Sequence, residues 1–110
     1  VSDSDPQTAS AGRYRAVARL MSALSSESRL IIIERLSRGE RCLCEIAELI
    51  GLDQSTVSRH MSKLESCNLI ARERRGQHVY FRLSAPWVKK LIDARLAEED
   101  RAEEIRGRQI

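Results

Sequence analysis

A mainly α-helical chain with a small β-hairpin, arranged as a winged helix-turn-helix, is the fold class that three observations predict. Residues 42–83 read as a helix, a tight turn at Gly51, a second helix and then a basic hairpin. Val57, Met61 and Leu64 recur at i, i+4 and i+7, which places them on one core-facing side of a helix. Val79, Phe81 and Leu83 alternate with His78, Tyr80 and Arg82, the two-residue period of a half-buried strand.

In chain order, residues 1–12 carry no hydrophobic period and read as a flexible tail. Residues 13–97 form the winged helix-turn-helix with its dimerisation helices, and 98–110 form a charged tail that frays. Tyr14, Val17, Leu20, Met21 and Leu24 predict the first helix. Ser25 or Ser26 caps the second, with Glu27 in its first turn matching the helix dipole. Leu30, Ile31, Ile33 and Leu36 continue it, and Gly39 stops it. A third helix is expected over residues 42–50, with Ile46, Leu49 and Ile50 as its apolar face and Gly51 as the left-handed terminator. Asp53 or Gln54 opens the fourth. The hairpin follows, turning at Arg75-Gly76. Ala85-Pro86 starts the last helix, whose stripe is Trp87, Val88, Leu91, Ile92 and Leu96.

The chain has 110 residues, a net charge of +3 and a pI near 9.0, the balance of one small, mildly basic domain. The run at residues 30–33 is only four residues long, far short of a membrane span, and no signal-peptide pattern is present. Three cysteines, two separated by a single residue, do not form a secreted disulfide framework, so a cytoplasmic protein with reduced thiols is expected. An enzyme is not supported: there is no Gly-rich phosphate loop, paired-carboxylate pocket or triad-like context, and a cysteine nucleophile would have only His60 or His78 as its base.

The outer side of the fourth helix points to nucleic acid. At about 100° per residue, Ser55, Arg59, Ser62 and Ser66 face away from the core, flanked by Thr56, Ser58 and Lys63. Short hydroxyls allow close approach to a groove, and Arg and Lys supply phosphate or guanine contacts. Arg72, Arg74 and Arg75 concentrate on the hairpin arm, as a wing along a minor groove or phosphate ridge would need. The expected DNA-contacting set is Gln54, Ser55, Thr56, Ser58, Arg59, His60, Ser62, Lys63, Arg72, Arg74, Arg75, Gln77 and His78. Within it, His60 could equally pack at the core boundary and His78 could simply be solvated. Tyr14, Val17, Leu20, Met21, Trp87, Val88, Leu91 and Ile92 lie on helices outside the helix-turn-helix, so they are expected to pair across a two-fold axis and set two recognition helices on a pseudo-palindromic operator. Two thiols, Cys42 and Cys44, stand at the entrance of this reading unit, the mark of a switch. Cys67 reads as packing at the end of the recognition helix.

Four stretches together resemble the ArsR/SmtB family of bacterial metal-sensing repressors: Leu24-Ser25-Ser26-Glu27-Ser28-Arg29, Cys42-Leu43-Cys44-Glu45-Ile46, Ser55-Thr56-Val57-Ser58-Arg59-His60-Met61, and Gly76-Gln77-His78-Val79-Tyr80-Phe81-Arg82-Leu83. The resemblance implies a dimeric repressor that leaves operator DNA when a toxic metal or metalloid binds. The arsenic-responsive branch carries a Cys-Val-Cys motif, matched by Cys42-Leu43-Cys44, which implies trivalent arsenic or antimony as inducer at Cys42 and Cys44. That branch often has another cysteine three residues on, where this chain has Ala47. The zinc-binding branch uses Asp and His on the last helix, where this chain has Ala85, Trp87, Glu98 and Arg101, so that site is rejected. Tetrahedral zinc or cadmium at two cysteines alone lacks ligands. Residues i and i+2 of a helix point about 200° apart, so convergence of both sulfurs on one ion is expected to require unwinding of the third helix. Thiol redox or persulfide sensing, another soft metal such as cadmium, and a winged-helix protein-interaction module remain as alternatives.

Overall fold

The computed structural model describes the backbone of residues 6–108 and the side chains of residues 12–108. The elements are α1 (Pro6–Leu24), α2 (Glu27–Ser37), β1 (Arg41–Cys42), α3 (Leu43–Ile50), α4 (Gln54–Ser66), β2 (Ile70–Arg75), β3 (His78–Leu83) and α5 (Pro86–Arg108). The strands form one antiparallel sheet in the order β1-β3-β2.

Local chemistry accounts for most boundaries. Ser26 is the N-cap of α2, its hydroxyl accepting from the Arg29 N–H at 3.3 Å. Gly51 ends α3 at φ 78°, a left-handed conformation that a Cβ would strain, and its N–H donates to the Ala47 carbonyl at 2.9 Å. Asn68 ends α4 at φ 58°, with its own N–H donating to the Glu65 carbonyl and the Leu69 N–H to that of Leu64, a Schellman closure.

The core is shared by every part of the chain. Ile32, Ile33 and Leu36 of α2 meet Ile46 of α3, Val57, Met61 and Leu64 of α4, Phe81 of β3 and Val88 of α5, all buried. Leu20 and Ile92 pack against the same cluster. Val88 is therefore part of the protomer interior, not of the dimer face expected for it. Leu49, expected on the buried face of α3, is exposed, and Ala47 takes that place. The inward side of α3 is the i, i+1, i+4 set Ile46, Ala47 and Ile50 instead of the i, i+3, i+4 set, and Leu49 falls outside it.

Both ends of the chain depart from the expected tails. The helix α1 begins at Pro6, upstream of the hydrophobic period, while residues 1–5 lie outside the described residues. Proline suits a first helical turn, and elongating a nucleated helix needs no apolar stripe. At the other end α5 runs to Arg108 without a break, and only residues 109–110 of the expected fraying tail lie outside the described residues. Ion pairs one turn apart line it: Arg95 with Glu99, Arg101 with Glu98, Arg106 with Glu103 and Arg108 with Glu104. Such pairs are worth about 0.2–0.5 kcal/mol each, enough together to extend a polar helix.

The two long helices project from the core. The radius of gyration is 17.5 Å, against about 13 Å for a compact domain of this length. Tyr14, Val17, Met21, Trp87 and Leu91 are exposed on them. Among the described residues, no helix is long and apolar enough to cross a membrane.

Candidate thiol site and nucleic-acid interface

The residues 51–53 turn α3 into α4, and Asp53 caps the second helix. Its carboxylate accepts from the Thr56 N–H at 2.7 Å, the Ser55 hydroxyl at 2.7 Å and the Thr56 hydroxyl at 3.0 Å. These hydrogen bonds, that of Ser55 first, lower the Asp53 pKa to about 2. The outer face of α4 then presents Gln54, Ser55, Arg59, Ser62 and Lys63 exposed, with Thr56 and Ser58 half-buried beside them. Among the described residues neither Arg59 nor Lys63 has a carboxylate partner; Arg59 lies along its own helix, its Nε donating to the Ser55 carbonyl at 3.4 Å.

His60 turns the other way. Its Nδ1 lies 3.2 Å from Nη1 of Arg29, whose Nε and Nη2 donate to the Ala23 and Ser22 carbonyls at the end of α1. Arg29 thus satisfies two carbonyls that α1 leaves without intrahelical partners and clamps α1, α2 and α4 together. Burial, then the charges of Arg29 and Arg59, lowers the His60 pKa below 6.5. A neutral ring accepting at Nδ1 holds its proton on Nε2. His60 thus contacts Arg29 at the junction of α1, α2 and α4.

The hairpin arginines are less free than their sequence implies. Arg72 grips Glu65 of α4 through two nitrogens and lies over the Phe81 ring at 5.2 Å. Arg75 pairs with Glu40 at 2.6 Å and Glu73 at 3.0 Å, and lies over Tyr80 at 4.7 Å. Arg74 donates to the Gly76 carbonyl at 3.3 Å. Arg74, Gln77 and Arg82 are exposed, and neither arginine of that set has a carboxylate partner among the described residues. Gly76 turns the hairpin at φ 62°.

The thiols differ most from expectation. Cys42 is not in a helix: it is the extended N-cap residue of α3 (φ −81°, ψ 159°) and the last residue of β1, paired with Tyr80 of β3. Its N–H donates to Oε1 of Glu45 at 3.0 Å. Cys44 is exposed in the first helical turn. The extended residue redirects the Cys42 side chain, so the two sulfurs come together as a disulfide, with Cα atoms 5.5 Å apart. Unwinding of the helix is therefore not needed for the sulfurs to converge.

A third side chain joins them. Donor atoms of Cys42, Cys44 and His78 all lie within 4.8 Å of one another. The sheet explains this. The β1–β3 register pairs Arg41 with Phe81 and Cys42 with Tyr80, so the chain enters α3 beside the first residues of β3, where His78 stands. No sequence signal marked His78 for this place, because it depends on a strand of two residues. Cys67 is remote from the cluster, half-buried at the end of α4 with its sulfur 3.6 Å from the Arg19 carbonyl.

Residues 26–72 match the family described as bacterial regulatory protein, arsR family. The arsenical resistance operon repressor of Escherichia coli is 34% identical over 79 residues, covering 68% of this chain and 68% of that protein. The chain belongs to the ArsR family. The nodulation protein NolR of Rhizobium meliloti is 35% identical over 77 residues, covering 70% of this chain and 63% of NolR, so the chain spans just under two thirds of that relative. Among solved structures, the homodimeric winged helix-turn-helix DNA-binding domain of a possible ArsR-family regulator from Mycobacterium bovis superposes with a TM-score of 0.77 at 30% identity, covering 86% of this chain and 88% of that one. The winged helix-turn-helix of this ArsR-family chain is thus the fold of its relatives, and its family is one of regulatory proteins.

Proposed function

We propose that this ArsR-family chain is a dimeric transcriptional repressor, released from pseudo-palindromic operator DNA when trivalent arsenic or antimony binds Cys42 and Cys44. One observation carries this reading: both sulfurs converge at the N-terminus of α3, which packs on α4, while β1 ties the same residues to the wing strand β3. A helix N-terminus favours thiolates, and thiolate sulfur is the ligand that soft ions select. A displacement of residues 42–44 is transmitted to both DNA-facing elements, and a coupling of about 1–3 kcal/mol would change operator affinity roughly 5–150-fold. The exposed apolar residues Tyr14, Val17, Met21, Trp87 and Leu91 support dimerisation through α1 and α5. The name of the Escherichia coli relative supports arsenic as the inducer.

The disulfide itself favours a second reading, in which oxidation is the signal. The two thiols lose two electrons and two protons to form the Cys42–Cys44 bond, while a hydroperoxide takes them up to give an alcohol and water.

The test is fluorescence anisotropy on palindromic duplexes selected by the reduced protein. Release by arsenite or antimonite, absent in Cys42→Ser and Cys44→Ser variants that still bind DNA, is the expected result. Release by a hydroperoxide with indifference to arsenite selects the redox reading. No DNA binding at all would leave a winged-helix protein-interaction module and sink both.

A further inference from the structure

We infer that His78 is a ligand: together with the reduced Cys42 and Cys44 it forms a two-sulfur, one-nitrogen site for a divalent thiophilic cation, cadmium or zinc, distinct in ion class from the metalloid site of the two thiols alone. This rests on the reading that Cys42 and Cys44 bind ions. The donor atoms of the three residues lie within 4.8 Å of one another. Ligands of a tetrahedral zinc at ordinary bond lengths sit about 3.5–4 Å apart; reduction of the Cys42–Cys44 bond frees the two sulfurs to part to that spacing, and the imidazole starts within 4.8 Å of both.

The ligands come from two paired elements, the β1–α3 junction and the strand β3. Cys42 is buried and held by its strand pairing with Tyr80 and by the Glu45 cap on its N–H. His78 sits at the first position of β3, paired with Arg75 across the hairpin, its ring edge-on to that of Tyr80. Cys44 and His78 are exposed, which leaves the site open to solvent on the side where a cation would enter. Two thiolates neutralise a divalent cation. Three protein ligands and a fourth position open to water make a complete four-coordinate shell, which two cysteines alone could not supply.

The donor set discriminates among ions. Imidazole suits zinc and its neighbours, whereas trivalent arsenic takes sulfur. His78 therefore matters for cadmium and zinc and not for arsenite. Its position near the tip of the wing means that a bound cation adds a direct link from the start of α3 to the wing, beyond the β1–β3 pairing already there.

The experiment uses the full chain, reduced and without DNA. Cadmium is titrated against a competing chelator while thiolate-to-cadmium charge-transfer absorption and the imidazole nitrogen resonances are followed. The expected result is one cadmium per protomer with the His78 nitrogens shifted. In His78→Gln the two-thiolate absorption survives at saturation, but affinity falls by more than the roughly 10–100-fold that loss of an outer-shell partner costs, and arsenite affinity is unchanged. His78→Cys, which replaces nitrogen by sulfur, restores cadmium binding and shows that the hairpin still folds. Parental cadmium affinity in His78→Gln, unshifted imidazole nitrogens at saturation, or an equal loss for arsenite would each overturn the assignment. Cadmium affinity indifferent to Cys42→Ser would instead overturn the thiol reading beneath it.

Discussion

Replacing Glu45 by Ala tests whether the thiol pair is held by the helix cap. Oε1 of Glu45 accepts the Cys42 N–H at 3.0 Å, which fixes the extended residue on which convergence of the sulfurs depends. Loss of a helix-terminal cap costs about 1 kcal/mol, within a range of roughly 0.5–2. An unfolding entropy of about 2.1 cal/mol/K per residue over 110 residues converts 1 kcal/mol into a fall of about 4 °C in melting temperature. Glu45→Gln keeps an acceptor in the same place and loses only the favourable charge at the helix start, worth about 0.3–1 kcal/mol, so it melts between the parent and the Ala variant. Calorimetry at one fixed protein concentration reads the difference, because a dimer's melting point depends on concentration. The same variants, titrated with arsenite, should rank in the same order of affinity. A Gln variant as unstable as Ala, or an Ala variant that melts with the parent, would refute the cap as the organiser of residues 42–44.

Arg59→Ala is expected to weaken operator binding by about 1–3 kcal/mol if its guanidinium reads a base edge; unchanged affinity by anisotropy removes it from the reading surface. Met21→Glu or Leu91→Glu places a charge on apolar residues that are exposed in the protomer, so sedimentation should show a folded monomer, and a persistent dimer would move the interface off α1 and α5. Acid should loosen the α1–α2–α4 clamp. The His60 pKa lies below 6.5 in the folded protein, so the stability from its neutral ring is complete above that value and is lost as pH falls through the folded pKa. Thermal melts between pH 7.5 and 5 should therefore drop more steeply for the parent than for His60→Gln, and parallel slopes would contradict this.

Much of the scaffold was legible because it rests on local periods. The Val57, Met61, Leu64 spacing, the Asp53 and Ser26 caps and the alternation through Val79 and Phe81 each state a burial pattern or a backbone conformation within a few residues. The illegible parts are those that depend on partners distant in sequence. A two-residue strand has no alternation to detect, so the local pattern puts Cys42 in the third helix and hides both its true position and the approach of His78. Glu40 lies 35 residues from the Arg75 it holds, and no charge count along the hairpin reveals that pair. The polar half of α5 looks like a tail in the sequence because its support is ion pairing instead of an apolar stripe. Which of the expected dimer residues face outward was likewise a matter of packing: Val88 is enclosed, while Tyr14 and Trp87 are open.

The arginine pairing on the hairpin bears on how such a protein would search a chromosome. Arg72 and Arg75 already have carboxylate neighbours, Glu65 on one side and Glu40 with Glu73 on the other. A phosphate must displace those partners, so each such contact exchanges one anion for another and adds little net attraction to arbitrary sequence. Each fully gained phosphate contact steepens the dependence of log affinity on log salt by about 0.9. Contacts made by exchange steepen it less. With Arg72 and Arg75 so engaged, such a wing would hold random duplex through Arg74 and Arg82 alone and would leave more of the discrimination to the outer face of α4, which would shorten the time spent on the wrong site.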